Sequence, residues 1–91
     1  MGKTITPTYR LEYTETTQSG RLESHKIAWK SDLYGRLNMA NVVKYLRVYE
    51  ASTQDGGCNS HIGVRKVLRY SAIRQKDNTP VLSGSMPQTV A

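Results

Sequence analysis

The N-terminal third of the chain alternates between apolar and polar residues, which is the pattern of a β-strand that buries one face. Tyr9, Leu11 and Tyr13 share one side of this strand, and polar residues occupy the other. The segment Gln18–Gly20 suits a three-residue hairpin loop in which the glycine adopts the left-handed conformation. The alternation resumes beyond this loop, so the pattern predicts an N-terminal β-hairpin over residues 8–30.

The loop also predicts a register in which Thr17 lies opposite Arg21. The cross-strand pairs are then Tyr9 with Trp29, Leu11 with Ile27, Tyr13 with His25, Glu12 with Lys26, Thr14 with Ser24 and Glu15 with Glu23. The apolar residues of both strands collect on one face, where His25 is expected as a partly buried structural residue. In the Glu15–Glu23 pair two like charges lie opposite each other. We expect water at the hairpin tip to screen their repulsion.

In the middle of the chain, apolar residues recur at steps of three and four, as in an amphipathic helix. The stripe consists of Met39, Val42, Val43, Leu46, Tyr49 and Thr53. Asn38 is suited to cap the N-terminus, and the glycine pair 56–57 is suited to end the helix. We therefore predict a helix over about 39–54, with Glu50 on its polar side.

Residues 64–75 fit both a helical stripe and a strand. We predict a strand over about 65–75, because Lys76–Asn78 is a turn sequence and Thr79–Leu82 resembles a short edge strand. The resulting fold class is α+β, a small antiparallel sheet of order β-β-α-β-β along the chain, with one amphipathic helix packed on one face. Residues 1–82 form a single domain in this prediction, and residues 83–91 form a flexible tail.

The composition narrows the classes of function. A chain of 91 residues has room for one core. A single cysteine excludes an intramolecular disulfide, and two histidines with one cysteine make a poor metal-binding set, so we expect neither metal nor cofactor. The chain shows neither a secretory signal nor an apolar run long enough for a membrane span. We therefore expect a cytoplasmic protein without membrane contact.

The chain has six tyrosines and no phenylalanine. Tyrosine tolerates half-exposed positions and is enriched at protein interfaces. One helix is not expected to cover all six rings, so several should lie on the surface or contact another subunit. This pattern predicts a homo-oligomer, and a purely structural oligomer subunit is one possible function.

The formal net charge of +6 favours acidic partners, nucleic acid first. Basic residues cluster around a tyrosine in one segment, at Arg65, Lys66, Arg69, Tyr70 and Arg74. Cations beside an aromatic ring suit phosphates and stacked bases, although such a run can equally be a solvated face. The leading interpretation is a non-enzymatic binding domain that contacts nucleic acid or another acidic ligand through this segment.

A second candidate site is the 55–63 loop, where Cys58, Asn59 and His61 lie close together in sequence. A nucleophilic cysteine needs a neighbouring base and a third group that orients the base. These three residues could line the pocket of a small-molecule-binding protein or an enzyme, or simply be loop residues. No catalytic residue can be assigned from the sequence.

Three stretches of the sequence resemble small proteins carried on mobile gene cassettes of bacterial integrons. They are HKIAWKSDLYGR at 25–36, NVVKYLRVY at 41–49 and GGCNSHIG at 56–63. The similarity extends over about residues 8–75. The resemblance implies a bacterial or environmental origin, a compact α+β fold and frequent oligomers, and it implies no particular activity or catalytic residue.

Overall fold

The computed structural model describes residues 8–86 and confirms the predicted α+β fold. Its strands are β1 (Tyr9–Thr16), β2 (Leu22–Trp29), β3 (Lys66–Arg74) and β4 (Thr79–Ser85). The helices are the short α1 (Ser31–Tyr34) and the main helix α2 (Met39–Ser52), and a 3-10 turn covers Ser60–Ile62. All four strands pair antiparallel in one sheet, in the order β2-β1-β3-β4.

The N-terminal hairpin has the predicted register at every pair from Tyr9–Trp29 to Thr16–Leu22. The backbone N–H of Thr17 donates to the carbonyl oxygen of Arg21 at 2.8 Å, which closes the loop. Gly20 adopts φ +88°, a conformation that glycine reaches without the steric cost that other residues incur. Loop chemistry and alternation therefore specify the same pairing.

A β-bulge between β1 and β3 turns Val67 towards the buried face of the sheet. Thr14 pairs with Arg69 and Glu15 pairs with Val67, which leaves one residue of β3 without a partner in β1. Because a bulge adds a residue to one strand, side chains three positions apart can then lie on the same side. Val67 and Tyr70 are accordingly both buried.

Helix α2 packs on the face of the sheet that carries the aromatic residues. Leu11 from β1 and Val42 and Leu46 from α2 have no exposed surface. Trp29 and Tyr9 lie on this same side, as predicted, and belong to or pack against the core. Burial of this apolar area is the main source of stability for so small a domain.

All six tyrosines contribute to this core or pack against it within a single chain. Tyr13 and Tyr70 are buried, and Tyr9, Tyr34, Tyr45 and Tyr49 are partly buried against the core residues. The expectation that one helix would leave several rings at the surface holds in part, because four of the six rings stay partly exposed although all of them contact the core. The short helix α1 was missed, and its Tyr34 supplies part of the coverage. Self-association itself stays a prediction.

Both ends of α2 depend on side chains and close turns. The side chain of Asn38 accepts a hydrogen bond from the N–H of Asn41 at 2.8 Å, which confirms the predicted cap. The helix ends at Ser52, two residues before the predicted limit and four before the first glycine. A Cβ on Gly57 would lie 2.3 Å from the carbonyl oxygen of Ser52, so the glycine allows the chain to turn back closely.

The C-terminal segment differs from its prediction, because β4 continues to Ser85 rather than ending at Leu82. Met86 follows as a buried core residue, so the predicted flexible tail is wrong for residues 83–86. Gly84 lies opposite Tyr70, and a Cβ there would lie 2.9 Å from the phenolic oxygen. Gly84 therefore permits close packing of β4 against Tyr70. The predicted lead-in, residues 1–7, and the remaining tail, residues 87–91, lie outside the described residues.

The face of the sheet opposite α2, called the open face below, is mainly polar, and its side chains are exposed or half-buried apart from the buried Ile73. Its polar residues are Arg10, Glu12, Thr14, Thr16, Ser24, Lys26, Lys66, Arg69, Ser71, Ser83 and Ser85. A sheet with one buried and one solvated face is common among antiparallel folds. Within residues 8–86, no helix is long and apolar enough to cross a membrane.

Candidate functional site

A cleft of about 740 Å³ opens beside the N-terminus of α2. Its apolar lining consists of Tyr9, Trp29, Leu37, Met39, Val81 and Leu82. These residues come from β1, β2, β4 and the connection into α2. A cleft of this size with a mainly apolar lining is typical of sites that bind small molecules.

Three polar residues, Ser31, Arg36 and Asn38, complete the lining. The guanidinium of Arg36 is exposed and forms no ion pair with any residue of the 8–86 segment. It is therefore the one cationic side chain among the lining residues that the structure describes. An anionic group in the cleft would find its opposite charge here.

Hydrogen bonds hold the connection between α1 and α2 against the aromatic residues. The indole N–H of Trp29 donates to the carbonyl oxygen of Gly35 at 3.1 Å, and the Asn41 amide donates to that of Arg36 at 2.7 Å. Gly35 has φ +90°, and a Cβ there would lie 2.9 Å from the Asn41 amide nitrogen. These contacts fix the backbone from which the Arg36 side chain projects.

At the other end of α2, five polar side chains form a compact cluster around a fully buried carboxylate. The Glu15 cluster consists of Glu15, Glu23, His25, Tyr49 and Arg65. Arg65 Nη1 donates to Glu15 Oε2 at 2.5 Å and to Glu23 Oε1 at 2.8 Å. Tyr49 donates to Glu15 Oε1 at 2.6 Å, and His25 Nε2 lies 3.1 Å from Glu15 Oε2. The cluster joins the hairpin, the main helix and the start of β3.

Arg65 and Glu15 influence the ionisation of their neighbours in the Glu15 cluster. The hydrogen bond from Arg65 lowers the pKa of Glu23 below its ordinary value, and the nearby guanidinium charge adds to this effect. Burial raises the pKa of Tyr49, and so does the hydrogen bond that its hydroxyl donates to Glu15. Tyr49 therefore stays protonated as a donor at neutral pH.

The Glu15 cluster contains three potential metal ligands, because the carboxylates of Glu15 and Glu23 and the His25 ring lie within 4.8 Å of one another. Both carboxylates already accept hydrogen bonds from the same nitrogen of Arg65. A metal ion between them would need the guanidinium to leave a largely buried position, so we assign the cluster a structural role.

The lowered pKa of Glu23 predicts a loss of stability in acid. A carboxyl whose pKa is lower in the folded state stabilises the fold above its unfolded value of 4.5, and this contribution disappears as the pH falls through the folded pKa. Glu23→Gln should therefore show a smaller fall in urea midpoint than the wild type between pH 7 and pH 3. Asp55→Asn is the matched control, since Asp55 is exposed and has no ion pair in the described segment. A fall in Glu23→Gln as large as that of the wild type would contradict the prediction.

The structure does not place the predicted basic segment on one surface. Tyr70 is buried in the core, and Arg65 belongs to the Glu15 cluster. Arg74 pairs with Asp77 at 3.2 Å on the side of the sheet that carries Tyr70. Lys66 and Arg69 alone share the open face. Stacking of a base on Tyr70 would therefore require the core to open, while phosphate binding by the segment stays a prediction.

The candidate residues of the 55–63 loop make separate contacts in the described structure. Cys58 and His61 are exposed, and no hydrogen bond links them within the described residues. Asn59 instead donates from its amide to the hydroxyl of Ser52 at 2.9 Å, and its backbone N–H donates to the carbonyl oxygen of Ser52. The loop follows the end of α2, and the large cleft lies elsewhere. Binding near this loop stays untested.

The sequence patterns did not predict the cleft beside α2 or the Glu15 cluster as sites. The alternation of β1 places Glu15 on the same face as Tyr13, and this signal pointed to burial of Glu15. The interpretation of the Glu15–Glu23 pair as solvated was therefore wrong for Glu15, which is fully buried. Glu50 was likewise assigned to the polar side, yet its Oε2 accepts a hydrogen bond from the N–H of Val67 at 2.6 Å.

Comparisons with known proteins add no family to this description. The resemblance to integron cassette proteins therefore stays an expectation, and the interpretation of the cleft rests on its own geometry. No protein-family model, no curated protein and no solved structure matches the chain.

Proposed function

We propose that the protein binds a small molecule in the cleft beside the N-terminus of α2. The observation that carries this proposal is a mainly apolar cleft of about 740 Å³ with the exposed cation Arg36 in its lining. Small-molecule binding was one of the functions that the sequence left open, with a pocket expected near residues 55–63. The proposal differs from that expectation in location, because it uses the cleft beside α2 instead of the loop.

The lining favours a ligand with an apolar body and one anionic group. Tyr9, Trp29 and Leu82 offer apolar surface for the body. Arg36 is available for a carboxylate, sulfonate or phosphate, to which a guanidinium can donate two parallel hydrogen bonds. An uncharged ligand of the same shape would use the apolar surface alone.

A fluorescence titration with a matched pair of probes tests this proposal. The anionic probe is 8-anilinonaphthalene-1-sulfonate, and N-phenyl-1-naphthylamine is its uncharged counterpart. Met39→Trp should weaken both probes by about tenfold, because a large side chain at the rim fills the cleft. Arg36→Gln should weaken the sulfonate by about threefold to fivefold and leave the uncharged probe unchanged, as expected for an exposed ion pair.

The matched control is Val48→Trp, which adds an indole to an exposed position of the same helix outside the cleft. It should leave the binding of both probes unchanged. Equal loss of binding in Met39→Trp and Val48→Trp would place the probe elsewhere and overturn the proposal. An effect of Arg36→Gln on both probes alike would overturn the assignment of Arg36 to the anionic group.

A further inference from the structure

We propose that the open face of the sheet binds the phosphate backbone of duplex DNA without reading its sequence. This surface lies on the opposite side of the sheet from α2 and is independent of the small-molecule cleft. It includes two residues of the predicted basic segment, Lys66 and Arg69. The fold adds Lys26 from β2 and Arg10 from β1, which the sequence did not connect with them.

The register brings these cations onto one surface. Thr14 pairs with both Ser24 and Arg69, and Glu12 pairs with both Lys26 and Ser71. Lys26 and Arg69 therefore lie two strands and two residues apart, which corresponds to about 12 Å between their Cα atoms. Lys66 extends the row towards the hairpin tip, opposite Thr16.

Most of these cations are available for a partner. Lys26, Lys66 and Arg69 are exposed and form no ion pair within residues 8–86. Arg10 forms an ion pair with Glu12, with its Nε 2.7 Å from Glu12 Oε2. Glu12 is the only acidic residue on the described part of this face. The face thus holds three uncompensated positive charges among serine and threonine hydroxyls, and both kinds of group contact phosphate oxygens in protein–DNA complexes.

The residues on this surface favour a duplex over a single strand. Single-strand binding draws much of its affinity from bases that stack on aromatic rings. The aromatic residues of the four strands lie on the face that packs against α2. Affinity for the open face must then come from charge, and duplex DNA presents about one charge per 1.7 Å along its axis.

The experiment is a fluorescence anisotropy titration of a 20-base-pair duplex of random sequence across a salt series. If the three cations neutralise three phosphates, a plot of the logarithm of the association constant against the logarithm of the salt concentration should have a slope of about −2.7. Lys26→Gln, Lys66→Gln and Arg69→Gln should each reduce the slope by about one. Glu12→Gln should act in the opposite direction and tighten binding, because it releases Arg10 for a fourth phosphate.

Lys44→Gln is the matched control, since Lys44 is an exposed lysine on α2, the helix that covers the other face. It should leave the slope unchanged. A slope reduced equally by Lys44→Gln and Arg69→Gln would overturn the open face as the site. A single strand of the same length that binds as tightly as the duplex would overturn the duplex assignment, and failure to bind any duplex at low salt would overturn the proposal. None of these outcomes depends on the cleft.

Discussion

Glu15→Ala is expected to lower the free energy of unfolding by about 3 kcal/mol, because it removes the central acceptor of a buried ion-pair network. Glu15 is fully buried and accepts hydrogen bonds from Arg65 and Tyr49. The Arg65 side chain is only 14% exposed, so its charge loses a partner in a place where water compensates little. This loss of stability is at the lower end of the range measured for broken buried ion pairs, because the Arg65 guanidinium still donates a hydrogen bond to Glu23.

The control for this prediction is Glu12→Ala, which makes the same change three residues earlier in β1. Glu12 is on the open face, and its side chain is 43% exposed in its pair with Arg10. We expect a loss of less than about 1 kcal/mol there, as for other exposed pairs. Urea unfolding followed by the fluorescence of Trp29 measures both variants. Equal losses in the two would contradict a special role for Glu15.

A double substitution separates the ion pair from the packing around it. Glu15→Leu combined with Arg65→Met replaces two buried charges by apolar side chains of similar size. Such replacements are often neutral, whereas Glu15→Leu alone leaves the buried Arg65 guanidinium with Glu23 as its remaining carboxylate partner. We therefore expect the double variant to be more stable than Glu15→Leu alone. A double variant that is less stable than Glu15→Leu would show that Arg65 acts independently of Glu15.

The hairpin was predictable because its information is local. The loop glycine and the alternation on either side lie within about twenty residues, and together they exclude every register but one. Helix α2 was predictable for the same reason, since a stripe of period 3.6 and an N-cap residue define it. Its C-terminus was predicted two residues too late, because the turn after Ser52 depends on a close approach by Gly57.

The Glu15 cluster and the cleft depend on residues that are distant in sequence. Arg65 lies 50 residues from Glu15, and its position follows from the bulge and from the turn after α2. The cleft takes its lining from the hairpin, from residues 31–39 and from β4. The sequence pattern ended β4 at Leu82, because serine and glycine are read as loop residues. The close approach of Gly84 to Tyr70 favours a glycine in this strand, and a local pattern does not contain that information.

Leu46→Ala is expected to lower the free energy of unfolding by about 3 kcal/mol, within the usual range for a buried leucine. The side chain is fully buried on the face of α2 that covers the sheet, so its removal leaves a cavity that the surrounding core fills only in part. Leu33→Ala makes the same chemical change at a side chain that is 68% exposed, and it should cost less than about 0.5 kcal/mol. Urea unfolding of both variants measures this difference. A loss in Leu46→Ala no larger than that in Leu33→Ala would show that α2 does not pack on the sheet, because burial against the strands is the source of the expected difference.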